Sequence, residues 1–431
     1  MARPRRASSN LGGDPRGDTS APAWATMERT QPAQSSSGGK DLPQHSKRRK
    51  ARSALHKWKQ ISFRHTWLTP LVLMVAILAA YLVNPGEQNP FHKAIFLSYN
   101  LGPDYPGGPD MYGKGYADWV FVGFYTIVLT FTREFIMQRL LRPMAIKCGI
   151  RKRGKQSRFM EQMYTAMYFA FLGPFGLYVM KQGSLWYFNT TAMFEGFPHR
   201  KHEGAFKAYY LIQASYWAQQ AIVLVLQQEK PRKDFKELVL HHIVTLALIG
   251  LSYRFHFAKM GIAVYITHDI SDFFLATSKT LNYLDSFIVG PYYLTFMGVW
   301  IYLRHYINLR ILWATLTEFA TVGPYELNWE TQQYKCWISQ IITFGLLACL
   351  QAVNLFWLYL ILRIAKNYVF SDSQGPQDER SEDEEEDEEI ERAQRNEDLK
   401  LNGNKPALQL NGVPVEGEAK PEGVRERRRK A

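Results

Sequence analysis

The sequence has few cysteines and lacks the short motifs that mark the common soluble enzymes. Its 431 residues include 3 cysteines, with no Cys-x-x-Cys pair and no zinc-ligand spacing. A disulfide framework or a structural zinc site is therefore not expected. There is also no His-Glu-x-x-His, no phosphate-binding glycine loop, no Gly-x-Ser-x-Gly and no glycine-rich dinucleotide turn. These absences argue against metalloproteases, P-loop hydrolases, serine hydrolases and dinucleotide-dependent oxidoreductases.

Apolar residues are scarce at both ends and concentrated in the middle. Hydrophobic residues make up 46% of the chain, which carries a net charge of +13. A bilayer core needs about 20 apolar residues per helix, and long charge-poor runs of this kind recur. The pattern predicts an all-α, polytopic membrane protein with about eight transmembrane helices. The predicted spans cover residues 66–83, 119–141, 160–180, 208–226, 238–253, 260–281, 289–313 and 337–364.

The two terminal segments are hydrophilic and are predicted to be disordered. Residues 1–59 end in a basic cluster beside the first span, which indicates a cytosolic anchor rather than a nucleic-acid site. Because the first apolar run follows this segment, no cleavable signal peptide is expected. Residues 371–431 form a tail with an acidic block at 382–389. Ser381 precedes that block and is a candidate phosphorylation site, with solvated disorder as the alternative.

The charges of the connecting segments predict the orientation. The basic segments after spans two and four are expected to face the cytosol, together with both termini. Residues 60–156 then comprise the first two spans and a basic cytosolic loop. The lumenal loop after span three contains Asn189-Thr190-Thr191, so Asn189 is a candidate glycosylation site. Arg200 and Lys201 in this loop do not follow the charge rule.

Ionisable residues within two consecutive spans are the strongest functional signal. Span five begins with His241-His242, and span six contains His268-Asp269-Ile270-Ser271-Asp272. Such groups at membrane depth are costly unless they pair or line a polar cavity, so they mark function by default. The alternative is a set of hydrogen bonds that hold the helices together.

The spacing of these residues predicts a buried His–Asp dyad. His241 and His242 differ by about 100° around the helix axis, so one can face a cavity while the other is held by a neighbour. Asp269 and Asp272 share one face of their helix. A carboxylate on one imidazole nitrogen leaves the other free as a base or a nucleophile. Such a base would help an amine to attack an acyl group. A primary amine with a pKa near that of lysine, about 10.4, is mostly protonated at neutral pH and must first lose a proton.

Histidine and aspartate at membrane depth have two other common uses, metal binding and proton-coupled transport. A metal site is not expected, because no further histidine lies at metal-ligand spacing in the helix of His241 and His242. A proton-coupled transporter would also bury such residues, but the internal repeats common in transporters are not evident.

The motifs resemble the signature of ceramide synthases, the longevity-assurance group of the TLC superfamily. The resemblance rests on His241-His242-Ile243-Val244-Thr245 and His268-Asp269-Ile270-Ser271-Asp272. It extends to further positions in other spans and covers residues 157–370, the expected catalytic domain. These further positions are Arg133-Glu134-Phe135, Tyr216-Trp217, Gln219-Gln220, Arg304-His305 and Asn308.

The resemblance implies an acyl-CoA-dependent sphingosine N-acyltransferase in the endoplasmic reticulum membrane. It implies a helical bundle around a lipid cavity, with catalytic residues at His241, His242, Asp269 and Asp272. Trp217, His268, Arg304 and Asn308 are candidates for substrate binding. Acyl-CoA is then a co-substrate, and no further cofactor is expected.

The resemblance also implies partners. They are a second copy or a paralogue in a dimer and, because a fungal enzyme is favoured, a small single-span regulatory subunit. The alternative function is a non-catalytic TLC-type protein that acts in lipid sensing or in translocation.

Overall fold

The three-dimensional structure is a computed structural model that describes residues 58–59, 61–62, 65–226, 234–370, 409–410 and 413–414. Ser381, the acidic block at 382–389 and most of the N-terminal segment lie outside the described residues, as do Lys230, Arg232 and Lys233. The described helical body comprises residues 65–226 and 234–370.

All eight segments predicted as spans are helical. The two π-helical segments continue the α-helices on either side of them. The helices are α1 Leu68–Val83, α2 His92–Ile95, α3 Ala117–Ile136, a π-helical Met137–Leu141, α4 Arg142–Lys147, α5 Arg153–Gln182, a 3-10 turn Thr191–Met193, α6 Gly204–Val225, α7 Phe235–Arg254, α8 Ala258–Tyr283, α9 Val289–Trp300, a π-helical Ile301–Ile307, α10 Asn308–Thr317 and α11 Trp337–Phe370.

Four of the described helical stretches are long and apolar enough to cross a membrane. They are Ala117–Lys147, Arg153–Gln182, Phe235–Arg254 and Trp337–Tyr368, and the shorter apolar helix Leu68–Val83 precedes them. The chain is thus a mostly helical, multi-pass membrane protein. The other predicted spans carry more polar residues; α8, for example, contains Lys259, His268, Asp269, Asp272 and Lys279.

A small antiparallel sheet, which the sequence did not predict, joins two connecting segments. Its strands are β1 Asn100–Pro103, β2 Asp110–Tyr112 and β3 His202–Glu203, in the order β1-β2-β3. The sheet ties the segment after α1 to the loop before α6. A separate pair joins β4 Gln409–Leu410 to β5 Val413–Pro414.

A buried ion pair fixes α6 to α3 below this sheet. Lys207 Nζ lies 2.7 Å from Asp118 Oδ1, and the two side chains are 0% and 4% exposed. Lys207 also donates to the carbonyls of Ser98 and Gly113, and the Tyr253 hydroxyl donates to Asp118 at 2.8 Å. These bonds compensate for the loss of hydration of both charges, which burial alone would make costly.

Close packing of α5 against α6 and α8 sets the position of the polar residues of α8. A Cβ atom at Gly176 of α5 would lie 2.7 Å from Tyr209 Oη and 2.9 Å from an Ile266 side-chain atom. Glycine is therefore needed for this approach. The contact brings the Tyr209 hydroxyl to the face of α8 that carries Asp269.

Candidate active site

The paired histidines lie at the end of the second turn of α7 and have different surroundings. His241 is 4% exposed and lies on the wall of a cavity. Its Nδ1 is buried and has no hydrogen-bond partner. His242, in contrast, donates from Nδ1 to the Leu238 carbonyl at 2.8 Å. Consecutive side chains point about 100° apart on a helix, which explains why only one of the two lines the cavity.

The cavity is long and almost entirely apolar. It has a volume of about 240 Å³ and lies between α6, α7, α8, α11 and the loop before α11. It extends along α7 from His241 to Phe255, which directly follows the helix, a distance of roughly 21 Å at the helical rise of 1.5 Å per residue. Trp329, Tyr334 and Cys336 line its far end. The space therefore suits a long apolar group with its polar end at the histidine.

His268 of α8 faces the same cavity as His241. The two imidazole rings are stacked with centroids 6.5 Å apart. His268 Nδ1 lies 2.8 Å from the Val264 carbonyl, and its Nε2 lies 3.4 Å from Asn354 Nδ2. A carbonyl accepts and an amide nitrogen donates, so this arrangement places the proton of neutral His268 on Nδ1.

Asp269 is fully buried and binds residues of α6. The Tyr209 hydroxyl donates to Asp269 Oδ2 at 2.6 Å, and Gln213 Nε2 donates to the same oxygen. Tyr168 of α5 in turn donates to Gln213 Oε1 at 3.3 Å. This chain of hydrogen bonds connects α5, α6 and α8 at the level of the histidines.

Asp272 is paired with Arg304 of the second π-helical segment. Arg304 Nη2 lies 2.5 Å from Asp272 Oδ1, with 2% and 19% of the two side chains exposed. The same guanidinium donates to Ser271 Oγ at 2.6 Å and to Asn354 Oδ1 at 3.1 Å. It also stacks over Trp300, with Cζ 4.1 Å from the ring centroid. Arg304 thus joins α8, α9 and α11, and a π-helical turn is often found at such functional positions.

The expected His–Asp dyad does not form between His241 and either aspartate. Asp269 and Asp272 hold Tyr209, Gln213 and Arg304 instead. On α8 the cavity is lined by one face of the helix that ends at His268, namely Met260, Gly261, Val264, Tyr265 and His268. Asp269 is one position further along the helix and therefore faces α5 and α6. The sequence spacing placed the aspartates on a common face but did not reveal this rotation of α8.

The other candidate residues from the sequence are Trp217, Asn308 and Asn189. Trp217 lines the cavity with its ring centroid 5.5 Å from that of His241. Asn308 is buried, and its Oδ1 has no hydrogen-bond partner. Asn189 is exposed between α5 and α6. The neighbouring threonines of its sequon both donate to Glu318, at 2.8 and 2.9 Å.

Several residues of the site were missed in the sequence. Tyr209 and Gln213 bind Asp269, and Asn354 binds Arg304 and His268. Trp357 packs on His241 with ring centroids 5.0 Å apart. Gln213 and Asn354 are polar residues within apolar runs, a signal that marks a pathway or an interhelical contact. Tyr209 and Trp357 give no such signal, because aromatic residues are common in membrane helices.

Metal ligation has no support in the described part of the chain. No group of three or more His, Cys, Asp or Glu residues there has an arrangement that could hold a metal ion. Asp269, Asp272 and Arg304 are bound to other side chains, and His268 also to a backbone carbonyl.

Comparison with known proteins gives the family. The TLC domain model matches residues 158–363. The sphingosine N-acyltransferase-like protein FUM17 of Gibberella moniliformis is 52% identical over 76% of this chain and 85% of its own. The sphingosine N-acyltransferase lac1 of Schizosaccharomyces pombe is 51% identical over 76% and 84%. The ceramide synthase LAG1 of Saccharomyces cerevisiae is 46% identical over 88% and 92%. The chain therefore belongs to the TLC-domain family, within the group of fungal sphingosine N-acyltransferases.

Proposed function

We propose that this chain is a ceramide synthase, which transfers a fatty acyl group from acyl-CoA to the primary amine of a sphingoid base. The observation that carries the proposal is the position of His241 at one end of a long apolar cavity. The names of relatives that match 76% to 88% of the chain support the same reaction. A lipid acyltransferase needs both features, a channel for an apolar chain and a base or nucleophile at its mouth.

The acyl chain occupies the cavity between α7, α8 and α11. Burial of apolar surface provides about 25 cal/mol per Å², so a long chain is held mainly by its hydrocarbon. The thioester carbonyl then lies beside His241 and His268. Trp217 flanks this position and excludes water from it.

His241 supplies the catalytic nitrogen. As a base, it takes the proton that the sphingoid amine loses while the amine attacks the thioester carbonyl and the C–S bond breaks. As a nucleophile, it forms an acyl-imidazole, releases the CoA thiolate and passes the acyl group to the amine in a second step. Both routes require a neutral imidazole in a dry site.

The two aspartates have different roles: Asp272 binds the second substrate, and Asp269 fixes the position of α8. Asp272 is the more exposed of the two, so it binds the ammonium or a hydroxyl group of the sphingoid base. Asp269, bound by Tyr209 and Gln213, fixes the rotation of α8 that directs His268 into the cavity. His242 supports α7 beside the reacting nitrogen. Arg304 orients Asp272, and Asn308 presents an unpartnered oxygen in the adjacent turn.

For the membrane arrangement we propose eight spans, with both termini and the basic segments 142–158 and 230–236 in the cytosol. The charge rule supports this orientation, and the two basic segments would attract the phosphates of acyl-CoA. The enzyme then resides in the endoplasmic reticulum membrane, with Asn189 in the lumen. No cofactor beyond acyl-CoA is required. A homodimer, a heterodimer with a paralogue and a small single-span subunit are the assemblies that we propose to test.

The direct test uses microsomes from cells that lack endogenous ceramide synthase and express this chain. Long-chain acyl-CoA and sphinganine are supplied, and dihydroceramide is measured by mass spectrometry. Product from the wild type and a loss of product in correctly inserted His241→Ala would support the proposal. No dihydroceramide at any acyl-chain length, with a candidate small subunit co-expressed, would contradict it.

A further inference from the structure

His241 is held between two indole rings from different helices. Trp217 of α6 lies 5.5 Å from the imidazole with an interplanar angle of 70°, and Trp357 of α11 lies 5.0 Å away at 67°. Trp217 lines the cavity and Trp357 does not. The imidazole is thus packed on one side by a wall of the cavity and on another by a residue outside it.

Packing is what orients this imidazole. The Nδ1 atom of His241 is buried and has no hydrogen-bond partner. In many active sites a carboxylate or carbonyl on one ring nitrogen fixes the histidine, and the neighbouring His242 has such a bond to Leu238. For His241 the two indoles restrict rotation of the ring instead.

The indole of Trp357 is itself fixed by a hydrogen bond to the start of α7. Its Nε1 donates to Asp234 Oδ2 at 3.0 Å. Asp234 is 6% exposed and directly precedes α7, where its carbonyl accepts from the Leu238 amide at 2.9 Å. The bond therefore joins α11 to the helix that carries His241, two turns before the histidine.

We propose that Trp357 is a positioning residue for His241, and that its hydrogen bond to Asp234 holds it in place. This inference rests on the proposed acyl transfer. With Trp357 in place, the imidazole nitrogen stays aligned with the thioester carbonyl, and water is kept from that carbonyl. Without it, water competes with the amine: its oxygen attacks the carbonyl, the C–S bond breaks, and free fatty acid and CoA form.

The test compares two reactions of the full-length protein in membranes. Acyl-labelled acyl-CoA is supplied with saturating sphinganine, and labelled ceramide and labelled fatty acid are measured together. Trp357→Ala is expected to lower kcat for ceramide on the order of 10²-fold, as small misplacements of catalytic groups do. The KM for acyl-CoA is expected to stay within about threefold, because the hydrocarbon provides the binding. The ratio of fatty acid to ceramide is expected to rise.

A second pair of variants isolates the hydrogen bond. Asp234→Asn keeps an oxygen that accepts from the indole, whereas Asp234→Leu removes the acceptor. Asp234→Leu and Trp357→Phe are both expected to raise the ratio of fatty acid to ceramide by a similar factor. The ratio for Asp234→Asn is expected to stay close to that of the wild type. Trp337→Ala, at an exposed tryptophan of the same helix, is the matched control.

The outcomes separate this inference from the proposed function. If the wild type forms no ceramide, the acyl transfer itself is contradicted. If it does, and Trp357→Ala behaves like Trp337→Ala, only the role of Trp357 is overturned. An equal fall of both products, with the ratio unchanged, also overturns it, because a general loss of packing would act in that way. If Trp357→Ala does not accumulate as folded protein, the ratios of Trp357→Phe and the two Asp234 variants decide the question.

Discussion

The Arg304 guanidinium and the Asp272 carboxylate form a 2.5 Å ion pair within the helical bundle. Two further hydrogen bonds from Arg304, to Ser271 and Asn354, use the fork of donors that distinguishes arginine from lysine. Through these bonds Arg304 joins α8 to α11. The pair also makes the site sensitive to the loss of either charge.

Removal of Arg304 is expected to destabilise the protein as well as reduce ceramide formation. Arg304→Gln leaves the partly buried Asp272 carboxylate without its cation, and the same loss in a fully buried pair typically costs about 3–5 kcal/mol. Arg304→Lys keeps the charge but not the fork, so its melting temperature is expected to lie between those of Arg304→Gln and the wild type. Thermal unfolding in detergent measures the effect. Arg310→Gln, at an exposed position six residues along the chain, is the control, and equal melting of the Arg304 and Arg310 variants would refute the prediction.

The two adjacent histidines are expected to contribute unequally. His241→Ala removes the nitrogen at the cavity and should lower kcat by about 10²–10⁴-fold, the usual contribution of a general base. His242→Gln should lower it less, because His242 lies outside the cavity lining. The assay is dihydroceramide formation at matched protein levels, with His92→Ala in the short helix α2 as control. A larger loss for His242→Gln than for His241→Ala would reverse the assigned roles.

The apolar cavity is expected to set the accepted acyl-chain length. Thr343 lines it from α11, and Thr343→Trp adds a bulky side chain partway along its length. The specificity constant for the longest acyl-CoA should fall by about 5- to 150-fold, since overpacking costs roughly 1–3 kcal/mol. Shorter acyl-CoA should be used nearly as well as by the wild type. Ala352→Trp, at an exposed position on the same helix, serves as the control; identical chain-length profiles for the two variants would show that this cavity does not hold the acyl chain.

The Lys207–Asp118 pair is expected to hold the small sheet against the bundle. Lys207→Met leaves the buried Asp118 without its cation and should cost about 3–5 kcal/mol. The double variant Lys207→Met/Asp118→Leu removes both charges and should recover part of that loss. Protease cleavage between residues 98 and 116 and thermal unfolding report the effect. The prediction fails if the double variant is no more stable than Lys207→Met.

Acidification is expected to weaken the end of the bundle that carries the sheet. Burial, with help from the nearby cation of Lys114, lowers the pKa of His256 from 6.5 to about 4. Because the folded pKa lies below the unfolded one, the unfolded state binds more protons between these values, and the free energy of unfolding falls as the pH falls from 6.5 to 4. Lys114, Arg254 and Arg200 disfavour the proton on His256, while the Gln332 side chain favours it.

The measurement is the melting temperature across this pH range. His256→Gln removes the titrating group and should reduce the slope, with roughly 2–4 °C of melting temperature for each 1 kcal/mol. Burial also lowers the pKa of His199 to about 4, so part of the slope should remain. An unchanged slope in His256→Gln, beside His92→Gln as control, would contradict the assignment.

Much of the helical organisation was predictable because it depends on local properties of the chain. Each of the eight apolar runs near the length of a bilayer is helical in the structure, and the observed boundaries differ from the predicted ones by up to seven residues. The buried His241, His268 and Asp269 stood out because ionisable residues are rare in such runs. The antiparallel sheet was missed, since its strands are two to four residues long and pair across distant segments.

The sequence by itself determined the helical membrane class, the family signature and the set of polar residues available for chemistry. Only the tertiary structure decided that His241 rather than His242 lines the cavity, that Asp269 binds Tyr209 and Gln213, and that Trp357 packs on the histidine. Periodicity and hydropathy are properties of one segment, whereas these contacts depend on the rotation and register of helices that are far apart in the chain. That rotation is set by side-chain packing between helices, as at Gly176, where the absence of a Cβ lets α5 approach α6 and α8.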